Sequence, residues 1–331
     1  MINVALIGSG RIGRIHAANL AKDPRASLRV ICDVQPESSR IMAERYGAAF
    51  STSPAEVIHD RAIDAVFVCT PAHTHIDLAK LAVENGKYVF CEKPIDEDLE
   101  KARRFVEGDP TKAALVMIGF HRRYDESHRR LRQAVESGAR GQIEQIIINS
   151  RDPELDSYAV LANTGGIFRD MMMHDIDQAS LLLSERLVGV FARGSCLVDP
   201  TFAKNGDFDN AVATFWTTNG RTCTIVNSRR SLFGFQQVIE VYCSGGTVSI
   251  GTQPETTFST RDEAGEHRAK PRGHFLERYQ NAYQVECQTF IDSIESGKEF
   301  PVSAVDGLRA LELADAADRS ARLGQPVTIK E

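Results

Sequence analysis

The chain opens with a short apolar run, Ile2–Ile7, then Gly8-Ser9-Gly10-Arg11-Ile12-Gly13, then a segment with helical spacing, Arg14–Lys22. No other feature constrains the fold as strongly. A G-x-G-x-x-G turn between a strand and a helix is the signature of a dinucleotide-binding βαβ unit. The first glycine permits the tight turn, the second lets the backbone approach a pyrophosphate, and the third lets helix and strand pack closely. The helix N-terminus then offers free N–H groups and a positive dipole end to the phosphates. A plain tight turn is the alternative. The second apolar run, Leu28–Cys32, argues against it, because Asp33 follows, twenty residues beyond Gly13. A carboxylate there accepts hydrogen bonds from ribose hydroxyls and repels a 2′-phosphate, and Val34-Gln35 brings no arginine to hold one. The expected cofactor is NAD, bound by Gly8, Gly10, Arg11, Ile12, Gly13 and Asp33. An Asp33 that only forms a turn or caps the next helix is the plainer reading.

The alternation continues. Pro36–Tyr46 reads as a helix closed by Gly47, Ala65–Cys69 as a strand, and Pro71 to about Asn85-Gly86 as a loop and helix. Lys87–Cys91, Leu99–Val106 and Ala114–Ile118 follow as strand, helix and strand. Strands alternating with helices make a parallel sheet, buried on both faces and therefore written as unbroken apolar runs. After about residue 120 the rhythm changes. Arg129–Ser137 reads as a helix, Gln142–Ser150 as a strand, 151–167 as irregular and Phe168–Leu183 as a helix. Strands dominate from Leu187 to about Thr257, separated by Asn219-Gly220 and Gly245-Gly246 turns. Helices Phe275–Ser296 and Ala304–Arg322, followed by Gly297 and Gly324, close the chain. The expected architecture is α/β: a doubly wound parallel Rossmann sheet over 1–120, then an α+β domain over 121–331. The latter carries a large, mostly antiparallel open sheet for substrate and oligomerisation, with the C-terminal helix able to pack back on the first domain.

A chain of 331 residues exceeds one ordinary core, which supports two domains. Its net charge of −6 and its short basic clusters, Arg122-Arg123 and Arg129-Arg130-Arg132, exclude a nucleic-acid partner. The seven cysteines contain no C-x-x-C pair, and several sit inside apolar strands, as expected of reduced thiols used as small hydrophobes. No leader and no apolar run of membrane-spanning length is present, so a cytoplasmic protein without a membrane partner is expected.

The third and fourth strands end in Thr70-Pro71-Ala72-His73-Thr74-His75 and Cys91-Glu92-Lys93-Pro94. In a doubly wound sheet both ends fall at the carboxyl edge, where ligands bind. Lys93 is thereby aimed at the cofactor cleft. A lysine there can orient a substrate oxygen and stabilise an alkoxide. A surface lysine at a strand end is the alternative.

These residues, with Gly165-Gly166-Ile167-Phe168-Arg169-Asp170-Met171-Met172-Met173-His174-Asp175-Ile176-Asp177, resemble the Gfo/Idh/MocA family of oxidoreductases over nearly the whole chain. Within it, Gly119-Phe120-His121-Arg122-Arg123-Tyr124-Asp125, Ser150-Arg151-Asp152-Pro153 and Asn227-Ser228-Arg229-Arg230 are similar to bacterial inositol 2-dehydrogenases, as is Phe275-Leu276-Glu277-Arg278-Tyr279. The resemblance implies that Thr70, Pro71, His75, Glu92 and Lys93 complete the cofactor site. It also implies a homodimer or homotetramer and no metal.

Asp170 and His174, four apart in a predicted helix, share a face. A histidine steadied by a carboxylate suits the removal of a hydroxyl proton. Simple helix-surface pairing is the alternative. The resemblance makes Lys93, Asp170 and His174 the catalytic set. Substrate contacts are expected from these three with Arg123 and Tyr158. The implied reaction is NAD-dependent oxidation of a cyclic polyol, myo-inositol to scyllo-inosose, with His174 as base. Another inositol isomer or a pyranose is the runner-up, and a non-catalytic NAD-binding sensor is more distant. One departure stands out: Phe233-Gly234-Phe235-Gln236 occupies the place where the family often has Tyr-Gly-Tyr-Asp. Two hydroxyls and a carboxylate are absent there. His16 is expected to be structural, and His59, His128 and His267 solvated.

Overall fold

The computed structural model describes residues 1–153, 161 and 164–329. They form two compact units, Met1–Tyr124 with Asn281–Leu311, and Asp125–Gln280 with Glu312–Glu331.

In the first unit the apolar runs become β1 (Ile2–Ile7), β2 (Ala26–Cys32), β3 (Ala49–Ser51), β4 (Ala65–Val68), β5 (Tyr88–Glu92) and β6 (Val116–Gly119). They pair in parallel in the order β3-β2-β1-β4-β5-β6. Every residue of β4 is fully buried, as a strand covered on both faces requires. The chain reverses direction across the sheet at β1, so the carboxyl ends of β1 and β4 flank the crevice where such sheets bind ligands. The predicted strands are all present. The three-residue β3 escaped the sequence reading because an exposed edge strand needs no apolar run. Gly47, at φ 66°, ends helix Pro36–Tyr46 as expected.

Asn281–Leu311 groups with this unit beyond the 1–120 expected for the first domain, in line with the expectation that the C-terminal helix can pack back on it. Phe290 packs edge-on against the stacked rings of Phe67 and Phe90, and Ile118 N–H donates to Val302 O at 3.0 Å. An added Cβ at Gly307 would lie 2.9 Å from Ile118, so the helix backbone rests directly on β6. Such contacts leave no trace in local periodicity.

The second unit contains β7 (Ile143–Arg151), β8 (Leu187–Ser195), β9 (Asn210–Thr217), β10 (Thr222–Ser228), β11 (Gln236–Cys243) and β12 (Gly246–Ile250). It also has the hairpin β13 (Ser259–Asp262) and β14 (Gly265–Arg268), and a short β15 (Val327–Thr328). The large sheet runs β12-β11-β7-β10-β9-β8-β15. Only β7 and β10 pair in parallel. Burial alternates along β9 and β11, so one face carries the core. Trp216 covers its cross-strand partner Gly189, where a Cβ would come within 2.1 Å of the indole.

Two predicted helices are interrupted. Phe168–Leu183 begins with a π-helical turn, Phe168–Met172, before the α-helix Met173–Leu183. Phe275–Ser296 breaks at Tyr279 into Phe275–Arg278 and Gln280–Ser296. All seven cysteines are free, five of them buried. No described helix is long and apolar enough to cross a membrane.

Candidate active site

The glycine turn joins β1 to helix Arg11–Leu20, and each glycine meets a different demand. Gly8 sits at φ 101°, and a Cβ there would lie 2.4 Å from Cys69 O. Gly13 is pressed against the turn, its Cβ position 1.9 Å from Gly8 O. Gly10, the helix N-cap, has open space where a Cβ would be, and no side chain caps the helix. The first and third glycines are needed by the fold, and the second leaves an approach to the helix N-terminus for a ligand. Arg11 and Ile12 begin that helix.

Asp33 ends β2 and turns back to this loop. Its Oδ2 accepts from Ser9 N–H and Ser9 Oγ, both at 2.7 Å, and its Oδ1 accepts from Gln35 N–H at 2.9 Å. Partial burial alone would raise its pKa, but these hydrogen bonds outweigh it and hold the carboxyl below its ordinary value. The ionised Asp33 therefore braces the glycine turn. The turn-forming reading of the sequence is realised in the bond to Gln35.

The loop after β4 is tied together by hydroxyls and one imidazole. Thr70 Oγ1 and Thr74 Oγ1 lie 2.6 Å apart, and Thr74 Oγ1 donates to Pro71 O at 2.8 Å. His75 is buried, with Nδ1 2.7 Å from Pro94 O and Nε2 2.8 Å from Thr70 O. Burial pulls its pKa below the ordinary value. Its ring braces this loop against the segment that follows β5. The buried Glu92 carboxylate has Oε1 2.7 Å from His16 Nε2. Lys93 follows on a cis peptide to Pro94 and is partly exposed. Arg123 pairs with Asp306 at 3.0 Å, which accounts for it as a clamp on the returning segment. Tyr158 lies outside the described residues.

In the second unit the Asp170–His174 pair straddles the junction of the π turn and the α-helix. A π turn is wider than an α turn and re-aims its side chains, a device frequent at functional sites. Asp170 is about a fifth exposed and pairs with Arg229, whose Nη1 lies 3.2 Å from Asp170 Oδ2. Arg229 is nearly buried; its guanidinium lies 5.9 Å from the Phe202 ring centroid, and its backbone N–H donates to Asp209 O. His174 is also nearly buried. The next residue, Asp175, has no exposure and accepts from Ser150 Oγ at 2.8 Å, Asn227 Nδ2 at 2.8 Å and Gln237 Nε2 at 3.1 Å. Three adjacent strands thus anchor the helix at the residue beside His174. No local pattern assigns a role to Arg229 or Asp175, because their partners come from distant segments of the chain.

Phe235 is buried edge-on against Tyr279, with centroids 6.0 Å apart, while Phe233 is exposed. His128, expected in solvent, is instead buried with Nδ1 2.8 Å from Asp125 Oδ1. It is buried with Leu131 on helix Glu126–Glu136, while Arg129, Arg130 and Arg132 of the same helix are exposed.

Comparison with known proteins agrees with this layout. Residues 2–120 match the oxidoreductase family with an NAD-binding Rossmann fold, and residues 128–249 match the GFO/IDH/MocA C-terminal domain. The chain is 38% identical to inositol 2-dehydrogenase of Rhizobium meliloti, covering 99% of both. It superposes on the myo-inositol dehydrogenase of Corynebacterium glutamicum with a TM-score of 0.95 at 38% identity, over 100% of this chain and 99% of the other. It also superposes on the scyllo-inositol dehydrogenase of Lactobacillus casei, solved with NAD(H) and scyllo-inositol, with a TM-score of 0.93 at 28% identity over 99% of each chain. The glycine turn, the Glu92-Lys93-Pro94 strand end and both matched domains lead to one conclusion: the chain belongs to the Gfo/Idh/MocA family and is an NAD-dependent dehydrogenase.

Proposed function

We propose that this dehydrogenase oxidises a secondary alcohol of a cyclic polyol, with myo-inositol giving 2-keto-myo-inositol. The observation that carries this reading is the Asp170–His174 segment, held by Arg229 and by the Asp175 network, in a chain whose full-length relatives are named for inositol oxidation. His174 takes the hydroxyl proton as the alcohol is oxidised, a task suited to an imidazole. Lys93 orients the reacting oxygen and stabilises charge developing on it. Asp170 accepts a hydrogen bond from a substrate hydroxyl while Arg229 holds it in place. Bound NAD supplies the acceptor for the hydride leaving the same carbon. Gly8, Gly10 and Gly13 shape its phosphate site, and Asp33 receives its ribose.

A second reading rests on Phe233 and Phe235. Without the expected tyrosine hydroxyls, a site that selects by hydrogen bonds discriminates less well. Another inositol isomer or a pyranose then becomes the preferred substrate. Steady-state assays across inositol isomers and aldopyranoses separate the readings. Turnover of a pyranose with none of any inositol would overturn the first. Lys93→Ala and His174→Ala should each lower kcat by on the order of 100-fold or more while NADH still binds. Wild-type turnover in both variants would remove these residues from the mechanism.

A further inference from the structure

Behind the strand end that carries Lys93, the first unit buries three ionisable side chains together. His16 comes from helix Arg11–Leu20, Glu92 from the end of β5 and Glu286 from helix Gln280–Ser296. One nitrogen or oxygen from each lies within 4.8 Å of the others. His16 and Glu286 have no exposure, and Glu92 has 7%. His16 Nε2 serves Glu92 Oε1, but neither oxygen of Glu286 has a hydrogen-bond partner. The surroundings are aromatic, with the His16 ring packed among Phe67, Phe90 and Tyr283.

Two carboxylates this close in an apolar interior do not both ionise. Glu92 has the histidine as partner, so the proton belongs on Glu286. Tyr283 lies beside His16, and the thiols of Cys69, on the loop after β4, and Cys287, on the helix of Glu286, interact electrostatically with Glu286. Neither thiol supplies a positive charge, and burial pushes both upward. Burial first, and the negative Glu92 second, push the Glu286 carboxyl well above its ordinary value. Glu92 has little room to retreat: a Cβ on Gly119 would already lie 3.2 Å from its carboxylate atoms.

We propose that Glu286 is a positioning residue, kept as a neutral acid in the folded enzyme so that Glu92 stays seated on His16 and the end of β5 presents Lys93 in one place. The proton is taken from solvent on folding and kept on the Glu286 carboxyl, leaving Glu92 as the single negative charge beside His16. Its consequence for turnover rests on the proposed role of Lys93; the protonation itself does not.

Infrared difference spectroscopy of the intact enzyme against E286Q tests the protonation directly. At neutral pH ordinary carboxyls are ionised. Wild type should show the carbonyl stretch of a protonated carboxylic acid, shifted by deuterium exchange and missing from E286Q. Absence of that band in wild type overturns the proposal. So does a stoichiometric divalent metal in the purified enzyme that E286Q loses, since the three side chains could also ligate a cation. Kinetics test the positioning. E286A should lower kcat by on the order of tenfold to a hundredfold with NADH affinity retained, and E286Q should rescue most of that loss. In alkaline solution the kcat of wild type should fall at a lower pH than that of E286Q, as Glu286 ionises. Wild-type kcat in E286A, or identical pH profiles for wild type and E286Q, refutes the positioning role. Lys93→Ala judges the lysine independently of either result.

Discussion

Arg229 Nη1 lies 3.2 Å from Asp170 Oδ2, joining the end of β10 to the π turn that precedes His174. The arginine is almost fully covered while the aspartate keeps about a fifth of its surface. Such a pair holds the carboxylate in place and leaves part of it available to a ligand. Removing one partner of a buried pair costs about 3–5 kcal/mol, and the exposure of Asp170 reduces that here. Arg229→Met should lower the melting temperature and reduce kcat by up to roughly 100-fold. Arg229→Lys should recover little, because an ammonium lacks the planar fork of a guanidinium. Thermal melts and steady-state kinetics check both, and full activity in Arg229→Met would show that Asp170 needs no such support.

The second and third glycines of the turn, Gly10 and Gly13, should separate binding from folding. Gly10→Ala meets no neighbour within 4 Å, so the melting temperature should hold while NADH affinity falls. Gly13→Ala places a Cβ 1.9 Å from Gly8 O. Overpacking of this kind costs about 1–3 kcal/mol, and a rigid backbone contact puts this variant at the upper end. Calorimetry with NADH titration distinguishes the two; equal melting losses would contradict the assignment.

Asp33 should decide the choice of cofactor. Losing a hydrogen bond to a charged group costs about 1.5–3 kcal/mol. Asp33→Ala should therefore raise the KM for NAD roughly tenfold to a hundredfold and admit NADP. Its melting temperature should also fall, since Ser9 loses two hydrogen bonds. A variant that keeps strict NAD preference would place the discrimination elsewhere.

Asp125 makes the stability of the second unit sensitive to acid. It lies 2.8 Å from His128 Nδ1 and accepts from Arg278 Nη2 at 3.0 Å. Burial alone would raise its pKa, but His128 and Arg278 outweigh burial and hold it well below the ordinary value. A depressed carboxylate stabilises the fold above its unfolded pKa of about 3.9. That contribution is lost as pH falls from there through the folded value. Asp125→Asn should lower the melting temperature at neutral pH, and its difference from wild type should shrink below about pH 4. A constant difference from neutral pH down to acid would exclude this linkage.

The second unit shows where local patterns stop being informative. The spacing of Asp170 and His174 implied one helical face, but Phe168–Met172 takes a wider π turn, which that spacing does not reveal. His128 looked like a solvated residue beside several arginines, yet Asp125, three residues earlier, draws it inward together with Arg278. A polar residue reads as exposed until its buried partner is known.

The glycine turn, the alternating strands and helices, Asp33 and the position of Lys93 were all determined by sequence alone. Each depends on neighbours a few residues away or on the simple order of elements in a parallel sheet. Tertiary structure decided the rest. It paired Asp170 with Arg229, gathered Ser150, Asn227 and Gln237 around Asp175, and returned Glu286 to His16 and Glu92. These partners are far apart in the chain, and only sheet register and helix packing bring them within reach. No periodicity records such a meeting, because the energy that fixes it is burial and charge compensation among groups the sequence keeps apart.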